Sequence, residues 1–160
     1  MKSPDAQAAN NGDRTREIRA DRVSSPAFSF PIRVYWEDTD AGGVVYHGSY
    51  VHFLDRARCE WLRALGIEQQ ELKQEQDLVL AVREMHMDFL KPARLDDLLQ
   101  VKVELRERRT ASFLVAQELL RDGECLLRAE VRLACLTASV FRPRPLPSWL
   151  LPDTSNGETA

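Results

Sequence analysis

Tyr35-Trp36-Glu37-Asp38-Thr39-Asp40-Ala41-Gly42-Gly43-Val44-Val45-Tyr46-His47-Gly48-Ser49-Tyr50 is the stretch at which the hydrophobic period of the chain changes. Before it, Phe28, Phe30, Ile32, Val34 and Trp36 alternate with more polar neighbours, the period-two pattern of a half-buried strand over 28–36. After it, from about Ser49, the residues Tyr50, Phe53, Leu54, Ala57, Trp61, Leu62 and Leu65 recur at helical spacing. They form one broad apolar stripe, with Asp55, Arg56, Arg58, Glu60 and Arg63 expected to face elsewhere. Ser49 or a neighbour is placed to cap the helix start, and Gly66 stands where a left-handed C′ residue ends a helix. A short second helix is expected over 68–74.

The remaining chain reads as strands. Over 78–90, Leu78, Leu80 and Val82 lie on one face, with Val79, Ala81, Met85, Met87 and Phe89 on the other. Pro92 ends that run, and Lys91-Pro92-Ala93-Arg94-Leu95-Asp96-Asp97 reads as a crossing loop. Val101, Val103 and Leu105 alternate with Lys102, Glu104 and Arg106. The run 112–120 is more apolar and so more buried. Asp122-Gly123 is a hairpin signal, and Leu127, Ala129, Val131, Leu133 and Cys135 alternate with Arg128, Glu130 and Arg132 in the last strand. The expected order is strand, glycine-rich turn, long helix, then a four-strand antiparallel meander. One striped helix against one antiparallel sheet is an α+β two-layer arrangement. The uncovered sheet face and edges imply an oligomer.

A chain of 160 residues is one domain by size. A formal charge of −3 and a pI near 5.7 give no electrostatic basis for binding nucleic acid or an anionic membrane surface. Three cysteines without C-x-x-C spacing read as reduced thiols in a cytoplasmic protein. No apolar run reaches the roughly 20 residues of a membrane span, and the N-terminus lacks the apolar core of a secretory signal. Residues 1–27 are polar, of mixed charge and poor in large apolar groups, so they read as a disordered extension. Their acids also argue against a transit peptide. Pro143, Pro145, Pro147 and Pro152 punctuate the other end, and 148–160 reads as a flexible tail around a domain over 28–147.

Glu37, Asp38 and Asp40 are three carboxylates between an apolar strand and a long helix. Acids beside glycines usually form a solvated loop or a capping cluster. Here the Gly42-Gly43 pair lets backbone amides approach a ligand, and a helix N-terminus presents unpaired N–H groups suited to a carbonyl oxygen. A carboxylate facing such donors is a workable hydrolase, with base or nucleophile on one side and carbonyl polariser on the other. Metal binding by Asp38, Asp40 and His47 fits the ligand types, but neither His52 nor His86 stands at helical i, i+4 spacing from His47. Asp38-Thr39-Asp40 lacks the parallel α/β context of aspartyl-phosphate phosphatases. Cys59 has no evident base partner.

Asp38 through Tyr50, followed by Phe53, Arg56-Ala57-Arg58 and Glu60, closely resembles the hot-dog-fold acyl-CoA thioesterases of the 4-hydroxybenzoyl-CoA thioesterase group, and within it the Tol–Pal system-associated acyl-CoA thioesterases. Pro92-Ala93-Arg94-Leu95-Asp96-Asp97 resembles a second characteristic segment. The resemblance covers about 30–147. It implies a hot-dog fold, one long central helix wrapped by a curved antiparallel sheet, in dimers that join sheets and pair into tetramers. It also implies hydrolysis of acyl-CoA to a free acid and CoA, without a metal or organic cofactor and without membrane insertion. Asp40 then falls on the catalytic carboxylate, as base or nucleophile, and the helix-start position whose backbone N–H polarises the carbonyl falls on or beside His47. The histidine itself belongs to the Tol–Pal-associated pattern, and Gly43, Val45, Tyr46 and Gly48 are the accompanying substrate-binding positions. Gly48 stands where that branch often has Ala, and Cys59 where Thr is common. The rival reading is a non-catalytic acyl-binding or scaffold module that works with an acyl carrier protein or an envelope-complex partner.

Overall fold

The computed structural model describes residues 28–154, so the extension expected over 1–27 lies outside the described residues. Five long elements follow the period changes. β1 (Phe28–Arg33) precedes α1 (His47–Ala64), and α2 (Gln69–Gln76) precedes β2 (Leu78–Phe89), β3 (Leu98–Arg108), β4 (Ser112–Arg121) and β5 (Glu124–Thr137), with a two-residue β6 (Arg142–Pro143). The strands form one antiparallel sheet in the order β1-β3-β4-β5-β2, and β6 adds to β5. The expected α+β layering of a sheet against one long helix is what the chain adopts.

The helix buries the expected stripe. Tyr50, Phe53, Leu54, Ala57, Trp61 and Leu62 join Val101, Val103, Phe113, Val115, Leu127 and Val131 of the sheet in one core. Each fully buried large side chain contributes about 1.5–3 kcal/mol relative to exposure, which holds the helix on the sheet. Two members depart from the expectation. Leu65 is at the frayed end and exposed, whereas Arg58 is 3% exposed. Its i−4 and i+4 neighbours Leu54 and Leu62 are both buried, so spacing alone puts Arg58 on the buried face. Its guanidinium is accommodated because Nη1 donates to Gln117 Oε1 at 2.9 Å and Nη2 to Asp55 Oδ1 at 3.1 Å. Gln117 Nε2 in turn donates to the Leu54 carbonyl at 3.0 Å, tying the helix to β4. Burial pushes the Arg58 guanidinium below its usual range, with Asp55 opposing that shift.

The meander expectation holds for β3, β4 and β5 only. β2 pairs with β5, so the chain leaves β2 at one edge and returns as β3 beside β1. The Asp122-Gly123 hairpin forms as expected, with φ of 49° and 81°. The two-face reading of β2 also changes. The register with β5 shifts between Val82 and Glu84, and the extra residue moves the following side chains to the opposite face. Leu80, Met85 and Met87 therefore all pack on the core, while Val82 is exposed.

At the other end, residues 148–154 are not a free tail. Leu150 and Leu151 are 1% and 3% exposed and belong to the core with Leu146. Leu146 N donates to Thr110 O, and Arg108 Nη2 donates to Pro147 O at 2.8 Å. Proline punctuation hid an apolar Leu-Leu pair that the helix and sheet alone leave room for.

Candidate active site

The glycine-rich turn is a small hairpin. Asp40 N donates to Val44 O, Gly43 N donates to Asp40 O, and Thr39 bridges Val45. A three-residue hairpin loop of this kind needs a left-handed residue at its last position, which Gly43 supplies at φ 75°. Gly42 serves a different purpose. Its N–H donates to Asp40 Oδ1 at 2.8 Å, and a Cβ there would stand 3.0 Å from the same oxygen. One glycine lets the chain turn; the other lets the Asp40 carboxylate settle on the turn.

The three acids separate by environment. Asp38 is buried, and its Oδ2 accepts from Tyr35 N at 2.8 Å, closing the 3-10 turn Trp36–Asp38. Its carbonyl accepts from Tyr46 N at 2.8 Å. Asp38 is thus a structural support. Glu37 is exposed and makes no hydrogen bond or ion pair among the described residues, so no supporting role falls to it. Asp40 is exposed, with one carboxylate oxygen on Gly42 and the other without a protein partner among the described residues.

The crossing loop before β3 fixes this hairpin to the helix start. Val45 N donates to Ala93 O at 2.8 Å, and Ala93 N donates to the buried Tyr50 hydroxyl at 3.0 Å. Burial pushes the Tyr50 phenol up, with the Ala93 bond opposing it, so it stays a neutral hydroxyl in the working range. Asp97 Oδ2 accepts from Arg94 N and from Arg121 Nη1 at 2.8 and 2.7 Å, and Arg121 lies on β4. Both segments that stood out in the sequence therefore meet at one place. Tyr50 and the Asp97 pair are the residues sequence reasoning left without a role here. The signal was the Pro92–Asp97 segment, whose partners no periodicity reveals.

The helix begins at His47, two residues before its apolar period and where the resemblance puts its start. Tyr46 is the N-cap and offers no side-chain cap; Ser49 lies inside the first turn and is buried. The first amides of a helix have no partner within it, and neither His47 N nor Gly48 N has an acceptor among the described residues. No acidic side chain occupies this first turn. Two free N–H groups at the positive end of an 18-residue helix thus begin directly after the hairpin that carries Asp40. His47 itself is exposed, its ring 4.5 Å from that of Tyr46. Val45 is buried and acts through its backbone, while Tyr46 is half exposed.

His52 and His86 are both exposed and stand apart from this turn, His86 facing Asp88 at 3.5 Å. Among the described residues no group of three His, Cys, Asp or Glu side chains could hold a metal ion. No helix among them is long and apolar enough to cross a membrane. Hollows of about 440 Å³ and 520 Å³ lie on the sheet, around His86 and Arg128 and around Val82 and Phe141, and contain neither Asp40 nor His47. Tyr35 and Trp36, which lead into the turn, are exposed, and so is Phe89, whose ring lies 5.6 Å from that of Tyr50.

The family described as the thioesterase-like superfamily has a model that matches residues 34–153. The acyl-CoA thioesterase YbgC of Haemophilus influenzae is 48% identical over 120 residues, which are 75% of this chain and 88% of that relative. The acyl-CoA thioester hydrolase YbgC of Escherichia coli O157:H7 is 43% identical over 126 residues, 78% of this chain and 93% of that relative. Among solved structures, a probable thioesterase from Bartonella henselae superposes with a TM-score of 0.73 at 35% identity, over 76% of this chain and all of that one.

Proposed function

The chain belongs to the thioesterase-like superfamily, and from that membership we propose that it hydrolyses acyl-CoA thioesters, with Asp40 as base or nucleophile. The observation that carries this reading is the pair of free amides at His47 and Gly48, presented directly after the exposed Asp40 hairpin. The thioester carbonyl rests on those two N–H groups. As a nucleophile or water attacks, negative charge grows on the oxygen, and the amides and helix dipole stabilise it. Asp40 either takes a proton from the attacking water or attacks the carbonyl carbon itself, in which case a water afterwards hydrolyses the mixed anhydride, freeing the acid and restoring the carboxylate. In either case the bond to sulfur breaks and CoA leaves as a thiol, its proton supplied by water or by His47. Gly43 and Val45 hold this geometry through the backbone, and Tyr46 and Gly48 border the carbonyl.

The test is release of CoA thiol from acyl-CoAs of several chain lengths and from benzoyl-CoA. A hydrolase releases thiol catalytically; a binding module titrates ligand and releases none, which would overturn this reading in favour of an acyl-binding partner of carrier protein. His47→Ala keeps the backbone N–H and removes the imidazole, so kcat/KM is expected to fall by about 10–100-fold. Unchanged kinetics would reduce His47 to its amide.

A second copy of the chain is the natural cover for the residues that lead into the turn. Trp36 is 79% exposed and its chain neighbour Tyr35 is exposed with it, and exposed large apolar groups of this kind mark an interaction surface. Among the described residues β2 is also an edge strand, paired on one side only, with β5. Sedimentation is expected to give a dimer or tetramer at micromolar concentration; a monomer would overturn this assignment.

A further inference from the structure

The ring of Tyr46 rests in the space that Gly48 leaves by having no side chain. A Cβ on Gly48 would stand 2.6 Å from Tyr46 Cε1, 3.2 Å from Cδ1 and 3.4 Å from Cζ. Optimal carbon–carbon contacts lie at about 3.5–4.0 Å, so a methyl group and the ring exclude one another. The backbone has little freedom to relieve that overlap. Tyr46 N is bonded to Asp38 O and Tyr46 O to Ser49 N, at 2.8 and 2.9 Å. Any relief must come from the ring swinging off its seat. Glycine is a poorer helix former than alanine, so nothing in the helix start itself calls for it.

The position of this seat gives it a consequence. The ring touches Gly48 and lies 4.5 Å from the His47 ring at an interplanar angle of 51°. It therefore flanks both residues whose amides have no acceptor among the described residues, and it is 48% exposed. Whatever is attached to a carbonyl held by those amides passes beside Tyr46.

We infer that Tyr46 is a specificity-determining residue and that Gly48 sets its position, the ring lying down on Gly48 so that acyl groups with a ring or branch next to the carbonyl fit. The inference rests on the thioester-hydrolase reading above. A straight chain needs only the width of a methylene at that point, whereas an aroyl group needs the width of a ring. Lifting Tyr46 narrows the passage for the second class and spares the first.

The experiment compares kcat/KM for benzoyl-CoA and butyryl-CoA in the full-length wild type, Gly48→Ala, Tyr46→Ala and the double variant. Gly48→Ala is expected to lower the benzoyl-to-butyryl ratio by about tenfold, the scale set by small changes in pocket width. Tyr46→Ala alone is expected to raise it. In the Tyr46→Ala background, adding Gly48→Ala should leave the ratio where it was, because no ring remains to be displaced. An unchanged ratio in Tyr46→Ala overturns the inference even if Gly48→Ala does not fold. Independent, multiplying effects of the two substitutions overturn it as well. A wild type that turns over neither substrate overturns the hydrolase reading and this inference together, whereas an active wild type with an invariant ratio overturns this inference alone.

Discussion

Asp40→Asn is expected to lower kcat/KM for any accepted acyl-CoA by about 10³-fold while leaving the fold in place. The substitution is conservative where structure is concerned. Asp40 Oδ1 accepts the Gly42 N–H at 2.8 Å, and the amide oxygen of asparagine accepts that bond equally. The hairpin contacts between Asp40 and Val44 and between Gly43 and Asp40 run through the backbone and survive. What disappears is the negative charge and, with it, both the ability to take a proton from water and the ability to attack a carbonyl. The amides of His47 and Gly48 still polarise the carbonyl, so a residual rate above the uncatalysed one should persist. Steady-state thiol release with a thermal melt on the same sample checks both halves. Near-wild-type turnover from a folded variant would remove Asp40 from the mechanism. Asp38→Asn gives the contrasting case. Its carboxylate is buried on Tyr35 N, so its loss should appear first in the melting temperature.

The contrast between these two acids marks how far the sequence could be read. The helix was legible because its stripe repeats over four turns, and the strands β3 to β5 because alternation and Asp122-Gly123 agree. The placement of β2 was not legible, since an antiparallel strand of any register carries the same alternation, and the shift after Val82 breaks even that. Arg58 was misread although its spacing from Leu54 and Leu62 puts it on the buried stripe; what the sequence hides is the partner that accommodates its charge there, Gln117, 59 residues away. At the site, the acids, the glycine pair and the histidine stood out by type, and it was the family resemblance that singled out Asp40 and His47 among them. The different tasks of Gly42 and Gly43 emerge only from φ and from the distance to Asp40. The free amides follow from where the helix begins, and that is decided by Ala93 and Asp38 holding Val45 and Tyr46, long-range contacts no local propensity encodes.

Phe53→Ala is expected to destabilise the protein by about 3–5 kcal/mol, the usual cost of removing a buried aromatic ring. Phe53 is fully buried near the start of the stripe and meets Tyr50 edge to face at a centroid distance of 6.0 Å. Its loss leaves a cavity between the helix and the sheet, whose close-packed lining collapses only in part. Against a domain stability of about 5–15 kcal/mol, that is a large fraction, and the melting temperature should fall by roughly 10 °C or more. The effect should also reach the site in a particular way. Tyr50 is held by Phe53 on one side and by Phe89, at 5.6 Å, on the other. Its hydroxyl anchors Ala93, and Ala93 anchors Val45. Loosening Phe53 therefore loosens the helix start against the hairpin, and kcat should drop at temperatures where the variant is still folded. Phe113→Ala makes the needed comparison, since Phe113 is equally buried but faces Trp61 near the far end of the helix. It should destabilise by a similar amount and leave the kcat of the folded fraction near wild type. Equal kinetic losses in both variants would mean that the helix moves as one body and that no specific path runs from Phe53 through Tyr50 to the hairpin that carries Asp40.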